Sequence, residues 1–185
     1  MSIEAHMLRE ELTKISKIAD ESECSSKLEK LKQQYEHSVS IVPSAIPLRE
    51  FNCFEYALGL HEIAIYRDMK KKLTYAGFGS VFCNSYFMRW LLDKKLISKH
   101  GDLIIYESIH GNLYHAGILT DKTRIISKWG PGCIYNHEQL EVPVEYGTMP
   151  LKYKKPEAKD VLQYFKNYLK ELKELIVTIN ELPQE

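Results

Sequence analysis

The stretch GDLIIYESIHGNLYHAGILTDKTRIISKWG, residues 101–130, decides the fold. Three runs in it, 102–107, 113–119 and 124–128, are rich in β-branched and aromatic residues. Two turn-forming clusters, IHGN at 109–112 and TDKT at 120–123, separate them. Connections this short join antiparallel neighbours, so the spacing predicts a three-stranded meander. Residues 151–154 read as one more strand. Residues 130–150 carry three glycines and three prolines and read as loop.

Helical patterns flank this centre. Over residues 2–37, Ile3, Met7, Leu8, Leu12, Ile15, Ile18 and Ala19 recur at steps of three and four. A polar break at 20–26 precedes Leu28, Leu31 and Tyr35. The stretch is therefore a bent helix or a helical hairpin, with Ser25 or Ser26 capping its second part. Residues 38–50 carry two prolines and no period, the pattern of an extended connector. Helix is expected again over 53–72 and 80–95. From Pro156 to Leu182 an apolar stripe of Val161, Tyr164, Phe165, Tyr168, Leu169, Leu172, Leu175, Ile176 and Ile179 predicts one long helix. A stripe of that length needs a partner. The two terminal helices are expected to pair, burying Leu12, Ile15, Leu169, Leu172 and Ile176, or to form a homodimer surface.

The resulting organisation is an N-terminal helical extension over 1–45, a core over 46–155 and a C-terminal helix over 156–185 that packs on the core or on the N-terminal helix. Fold class is α+β, an antiparallel sheet packed on a cysteine-bearing helix with added amphipathic helices at both ends. The chain of 185 residues has 44% hydrophobic and 27% charged residues, a globular composition. Its 25 basic and 25 acidic residues balance, which gives no footprint for nucleic acid or an anionic membrane. No apolar run approaches the roughly 18 residues of a membrane span. Charges interrupt every apolar stretch near the N-terminus, so no signal-peptide core is read there. The expectation is a protein made in the cytoplasm, with leaderless export as an effector or toxin as the other route.

Four cysteines, Cys24, Cys53, Cys83 and Cys133, form no C-x-x-C pair and match no zinc module. Cys83, inside VFCNSYFMRW, reads as core, and Cys24, in a polar break, reads as exposed. Cys133 is four residues from His137, but two ligands make no metal site. Cys53 differs in context. Asn52 is placed to cap a helix, which puts Cys53 in the first turn, where free N–H groups and the helix dipole lower a thiol pKa. His115, held on the strand LYHAGIL, is placed to take the thiol proton and return it to a leaving amine. A third polar group orients such an imidazole. Ser127 is preferred for that part, with Lys128 or His137 as alternatives. Ser127 and Lys128 point to opposite faces of their strand, so only one of them serves. Tyr56, about a helical turn beyond Cys53, either polarises a carbonyl or packs in the core. Trp129 and its glycine loop either wall a cleft or cover the sheet edge.

Gly101-Asp102-Leu103, His115-Ala116-Gly117-Ile118 and the helix-opening Cys53 resemble, in order and approximate spacing, the NlpC/P60 and CHAP cysteine peptidases of the papain-like fold. The phrases NCFEYALG and SKWG…H…VP…YG are similar to a little-characterised bacterial branch of that fold. The resemblance covers roughly residues 50–130. It implies a papain-like core and a thiol-dependent peptidase or amidase, or a transferase, acting on a peptide or isopeptide amide. Cys53 is then nucleophile and His115 general base and acid, with the Cys53 N–H in the oxyanion hole and no metal or organic cofactor. The expected pair lies within about 4 Å, with a depressed thiol pKa. Two other readings stand beside it: a non-catalytic relative that binds a peptide or protein, and an interaction module built on the terminal helices.

Overall fold

The computed structural model describes residues 2–75, 84–97 and 99–180, the side chains of 99, 100 and 175–180 excepted. The N-terminal stretch is a hairpin of α1 (Ile3–Ile15) and α2 (Glu21–Lys32). Its second helix is capped by Asp20, which accepts from the Glu23 N–H, and starts before the serines expected to cap it. The connector contains β1 (Ser40–Val42) and a 3-10 turn at Leu48–Glu50. The helix expected over 53–72 is split into α3 (Cys53–Ala57), a 3-10 turn at Leu60–Glu62 and α4 (Ala64–Tyr75). Gly59 makes the break, at φ +73, a left-handed conformation that side chains disfavour. Next come α5 (Ser85–Asp93), β2 (Lys99–Glu107), β3 (Leu113–Leu119) and β4 (Arg124–Lys128). The chain ends with β5 (Ile134–Glu138), β6 (Met149–Tyr153) and α6 (Ala158–Asn180).

All strands join one antiparallel sheet in the order β1-β5-β4-β3-β2-β6. The expected meander forms its centre. Two strands exceed the expectation: β5, in the stretch read as loop, and β1, in the connector. β5 pairs with β4 on one side and β1 on the other, so the sheet supplies partners that its own composition does not announce.

Side-chain alternation gives the sheet two apolar faces. Leu103, Ile105, Leu113 and Ala116 join Phe54, Leu58, Tyr66, Phe87, Leu91, Val161 and Phe165 in the first core. Ile104, Tyr106 and Ile125 join Leu8, Leu12, Ile15, Cys24, Leu28 and Trp129 in the second. Of the two seats expected for the C-terminal helix, it takes the core, and the terminal helices do not pair. α1 joins the core on one sheet face, beside α2 and the Val144–Tyr146 turn, and α6 the core on the other, beside α5 and the Leu60–Glu62 turn. Cys24 is buried in the second core, where an exposed thiol was expected. Cys83 lies outside the described residues.

The glycine of the GDL phrase has a packing reason. A Cβ on Gly101 would stand 2.3 Å from the Lys154 Cα and 2.8 Å from the Tyr153 carbonyl oxygen. Neither backbone atom can turn aside as a side chain does. Gly101→Ala is expected to cost about 1–3 kcal/mol by forcing β6 away from β2, read as a lower urea midpoint. An unchanged midpoint refutes this account of the glycine.

Candidate functional site

Cys53 opens α3 after a complete capping box. Asn52 Oδ1 accepts from the Glu55 N–H at 2.9 Å, and the Asn52 N–H donates to Glu55 Oε2 at 2.7 Å. Glu55 is fully buried and also accepts from the Tyr66 hydroxyl at 2.7 Å and from Lys70 Nζ at 2.7 and 2.8 Å. This network fixes the helix start and with it the thiol. α3 packs on β3 and β4. Those strands pair only at Ile118↔Ile126 and Leu119↔Ile125, so they are unpaired at the end where α3 meets them. There the backbone N–H of Ala116, together with those of Phe54 and Cys53, bears on the sulfur.

Those donors, and the Lys128 ammonium, pull the thiol pKa down. Burial outweighs them and pushes it up to about 11. The expected depression does not occur. A helix of five residues adds little dipole, while half-buried Cys53 packs its thiol against the first core.

His115 lies opposite Tyr106 across β2, on the side chain register that alternates with Ala116. Its ring is 0% exposed, and neither ring nitrogen has a hydrogen-bond partner among the described residues. The Tyr146 ring lies flat on it, 3.9 Å between centroids and 9° between planes. Burial, then the nearby His137 and Lys128, hold the imidazole well below the ordinary histidine range. The expected thiolate–imidazolium couple is thus absent. Both members are neutral and no hydrogen bond joins them. They nonetheless meet at one peptide: the N–H beside the thiol belongs to the bond joining His115 to Ala116. The ring itself lies against Tyr106 and Tyr146 of the second core, whereas Cys53 packs against the first, so the expected couple is not formed.

The other expected members divide by strand face, as alternation requires. Ser127 Oγ accepts from Trp129 Nε1–H at 2.9 Å and lies 2.8 Å from His137 Nε2. His137 Nδ1–H donates to the Glu138 carbonyl at 2.7 Å, which leaves Nε2 to accept from Ser127. Ser127 and His137 therefore serve each other and not His115. Lys128 turns the other way. Its Nζ donates to the carbonyls of Gly130 at 2.5 Å and Gly132 at 3.3 Å, 5.6 Å from the Phe51 ring. Burial lowers its pKa, and the nearby Cys53 and Cys133 sulfurs oppose that. Trp129 is buried against Tyr135 at 4.2 Å, covering the sheet. Tyr56 stacks near Phe51 and His61.

Tyr146 was not singled out by sequence reasoning, although the phrase YG contains it. Its hydroxyl accepts from the Gly130 N–H at 2.9 Å. Among the described residues no three His, Cys, Asp or Glu side chains converge as metal ligands. No described helix is long and apolar enough to cross a membrane.

A family model described as a domain of unknown function (DUF7689) matches residues 43–154. The match spans α3, α4, α5 and the five strands β2 to β6, with Cys53, His115 and Tyr146, and leaves out α1, α2, β1 and α6. No curated protein and no solved structure matches the chain.

Proposed function

The chain belongs to the DUF7689 family, and from its site we propose a thiol-dependent hydrolase of papain-like type acting on a peptide or isopeptide amide. The observation that carries this reading is an uncommitted buried imidazole one peptide bond from a thiol that three backbone N–H groups face. A buried imidazole with both nitrogens unpaired costs about 1–3 kcal/mol, a cost that a packing role does not require.

Cys53 is the nucleophile. When a local rearrangement of β3 and Tyr146 brings the His115 ring to the thiol, it takes the Sγ proton, and sulfur attacks the amide carbonyl carbon. The Cys53 and Ala116 N–H groups face the sulfur and are placed to donate to the oxyanion. The imidazolium then gives its proton to the leaving amine, and water hydrolyses the thioester with His115 as base. Lys128 favours the thiolate by its charge. Ser127 and His137 hold the β4–β5 wall and do not orient His115.

The test uses p-nitrophenyl acetate, with peptide mapping of the acyl adduct. Cys53 is expected to acylate and Cys53→Ser to give no adduct. His115→Gln is expected to slow acylation by about 10²–10⁴-fold. Acylation indifferent to His115 rejects the reading and leaves a non-catalytic peptide-binding relative, which the neutral, uncoupled pair also favours.

A further inference from the structure

The segment that lays Tyr146 over His115 is held by the N-terminal helix. Arg9, midway along α1, is 0% exposed, an unusual place for a guanidinium. Its Nε donates to the Val142 carbonyl at 3.0 Å, and its Nη2 donates to the carbonyls of Pro143 at 3.2 Å and Gly147 at 2.5 Å. One side chain thus grips both ends of the 142–147 segment. Thr13 Oγ1 accepts from the Val144 N–H at 2.9 Å, and Lys17 pairs with Glu145 at 3.2 Å. Two residues of α1, and Lys17 just beyond its end, engage a segment whose 3-10 turn, Val144–Tyr146, ends on the stacked ring. The far edge of the ring is fixed by the Gly130 N–H.

The origin of the clamp is informative. Everything it holds lies within residues 43–154, the part matched by the family model, while α1 lies outside. Chain added to the domain therefore closes over its buried histidine. The contact also explains why His115 lacks partners. A flat phenol ring excludes water from the imidazole and offers it no hydrogen-bonding atom.

We infer that α1 is an intramolecular inhibitor of the Cys53–His115 site, holding Tyr146 on His115 until the helix is displaced. The inference rests on the thiol-hydrolase reading for what it inhibits, but not for the cover itself. With Tyr146 in place the ring cannot leave its stack to meet the thiol. When α1 lets go of 142–147, Tyr146 lifts, the imidazole regains water and its pKa rises toward the ordinary value. The local rearrangement that brings the ring to the thiol is then open, and the ring acts as base.

The experiment uses the full chain and reads two groups separately. Diethyl pyrocarbonate modifies neutral imidazoles, so its rate at His115, followed by peptide mapping, reports the cover. Acylation of Cys53 by p-nitrophenyl acetate reports the chemistry. Tyr146→Ala removes the cover directly. Arg9→Met removes the grip. Thr13→Ala combined with Lys17→Glu loosens it without emptying the core, and decides the matter if Arg9→Met does not fold. Modification of His115 is expected to rise about tenfold or more in each folded variant, with the far-ultraviolet dichroism unchanged. Cys53 acylation is expected to rise with it. A His115 rate that stays at the parent value in the folded α1 variants overturns the inference, as does one that stays there in Tyr146→Ala. A His115 rate that rises while Cys53 acylation does not upholds the cover and rejects the hydrolase reading.

Discussion

Glu55→Ala is expected to lower the unfolding free energy by about 3–5 kcal/mol, the range for removing one partner of a buried ion pair. The carboxylate is 0% exposed and fully engaged. Oε1 accepts from Tyr66 and Lys70, and Oε2 from Lys70 and the Asn52 backbone. Alanine leaves the Tyr66 hydroxyl, on a side chain 1% exposed, without that acceptor, and opens the α3 capping box. Lys70, whose side chain is 24% exposed, reaches solvent more readily, so most of the loss comes from Tyr66, the cap and the cavity. Glu55→Gln keeps the shape and one acceptor oxygen and should lose less. Urea unfolding at neutral pH measures both. A loss under about 1 kcal/mol for alanine shows that the network is not what fixes α3. A second consequence follows for chemistry. Because the same capping box sets the start of α3, the folded fraction of Glu55→Ala should also acylate at Cys53 more slowly than the parent.

Much of this architecture is legible in the residues, and the unread parts have physical reasons. The runs at 102–107, 113–119 and 124–128 announce strands because β-branched and aromatic residues alternate between clear turns. IYNHE at 134–138 does not, since Asn136, His137 and Glu138 are poor strand formers and a glycine–proline loop precedes them. Its strand state is imposed by neighbours on both sides. The terminal stripes reveal that α1 and α6 are buried, but a stripe does not say against what. Here a two-faced sheet between them takes the place of mutual pairing. Cys53 and His115 are legible as chemistry-bearing residues from their local settings. Their electrostatic state is not, because a short helix dipole and a burial penalty oppose each other, and only the fold sets the second. Alternation correctly separates Ser127 from Lys128, but does not say what else claims each of them. Ser127 is claimed by Trp129, two residues on, and by His137, which a strand unseen in the sequence brings to it. The cover over His115 is the least legible feature, since it depends on Arg9 meeting residues more than a hundred positions away.

Acidification is expected to destabilise this protein from about pH 6.5 downward, above the range where most carboxylates are protonated, and the cause lies in the buried histidines. His137 is 0% exposed and neutral, with burial pushing its pKa down to about 4. The Trp129→Ser127→His137→Glu138 chain of donors uses Nε2 as an acceptor, so a proton on that nitrogen reverses the Ser127 hydrogen bond and takes the acceptor from the serine O–H. His115 is pushed in the same direction. The sign follows from proton counts. Between the unfolded histidine value near 6.5 and the folded one, the unfolded chain binds more protons, so stability rises with pH. The stabilisation is complete above about pH 6.5 and is lost as pH falls toward the folded value, amounting to about 3 kcal/mol for His137 alone. Asp20 and Asp121 act in a different window. Their pKa values are lowered by hydrogen bonds to Ser22 and to the Thr123 backbone respectively, so what they contribute is lost only below the ordinary carboxylate range. Urea midpoints measured between about pH 7 and about pH 4.5 should therefore fall steeply. His137→Gln, which retains an acceptor for Ser127 and cannot titrate, should flatten the slope while lowering the midpoint at neutral pH. The Tyr146→Ala variant should flatten it too, because an uncovered His115 regains an ordinary pKa in the folded state. A midpoint indifferent to pH across this window contradicts the neutral buried histidines on which the resting site depends.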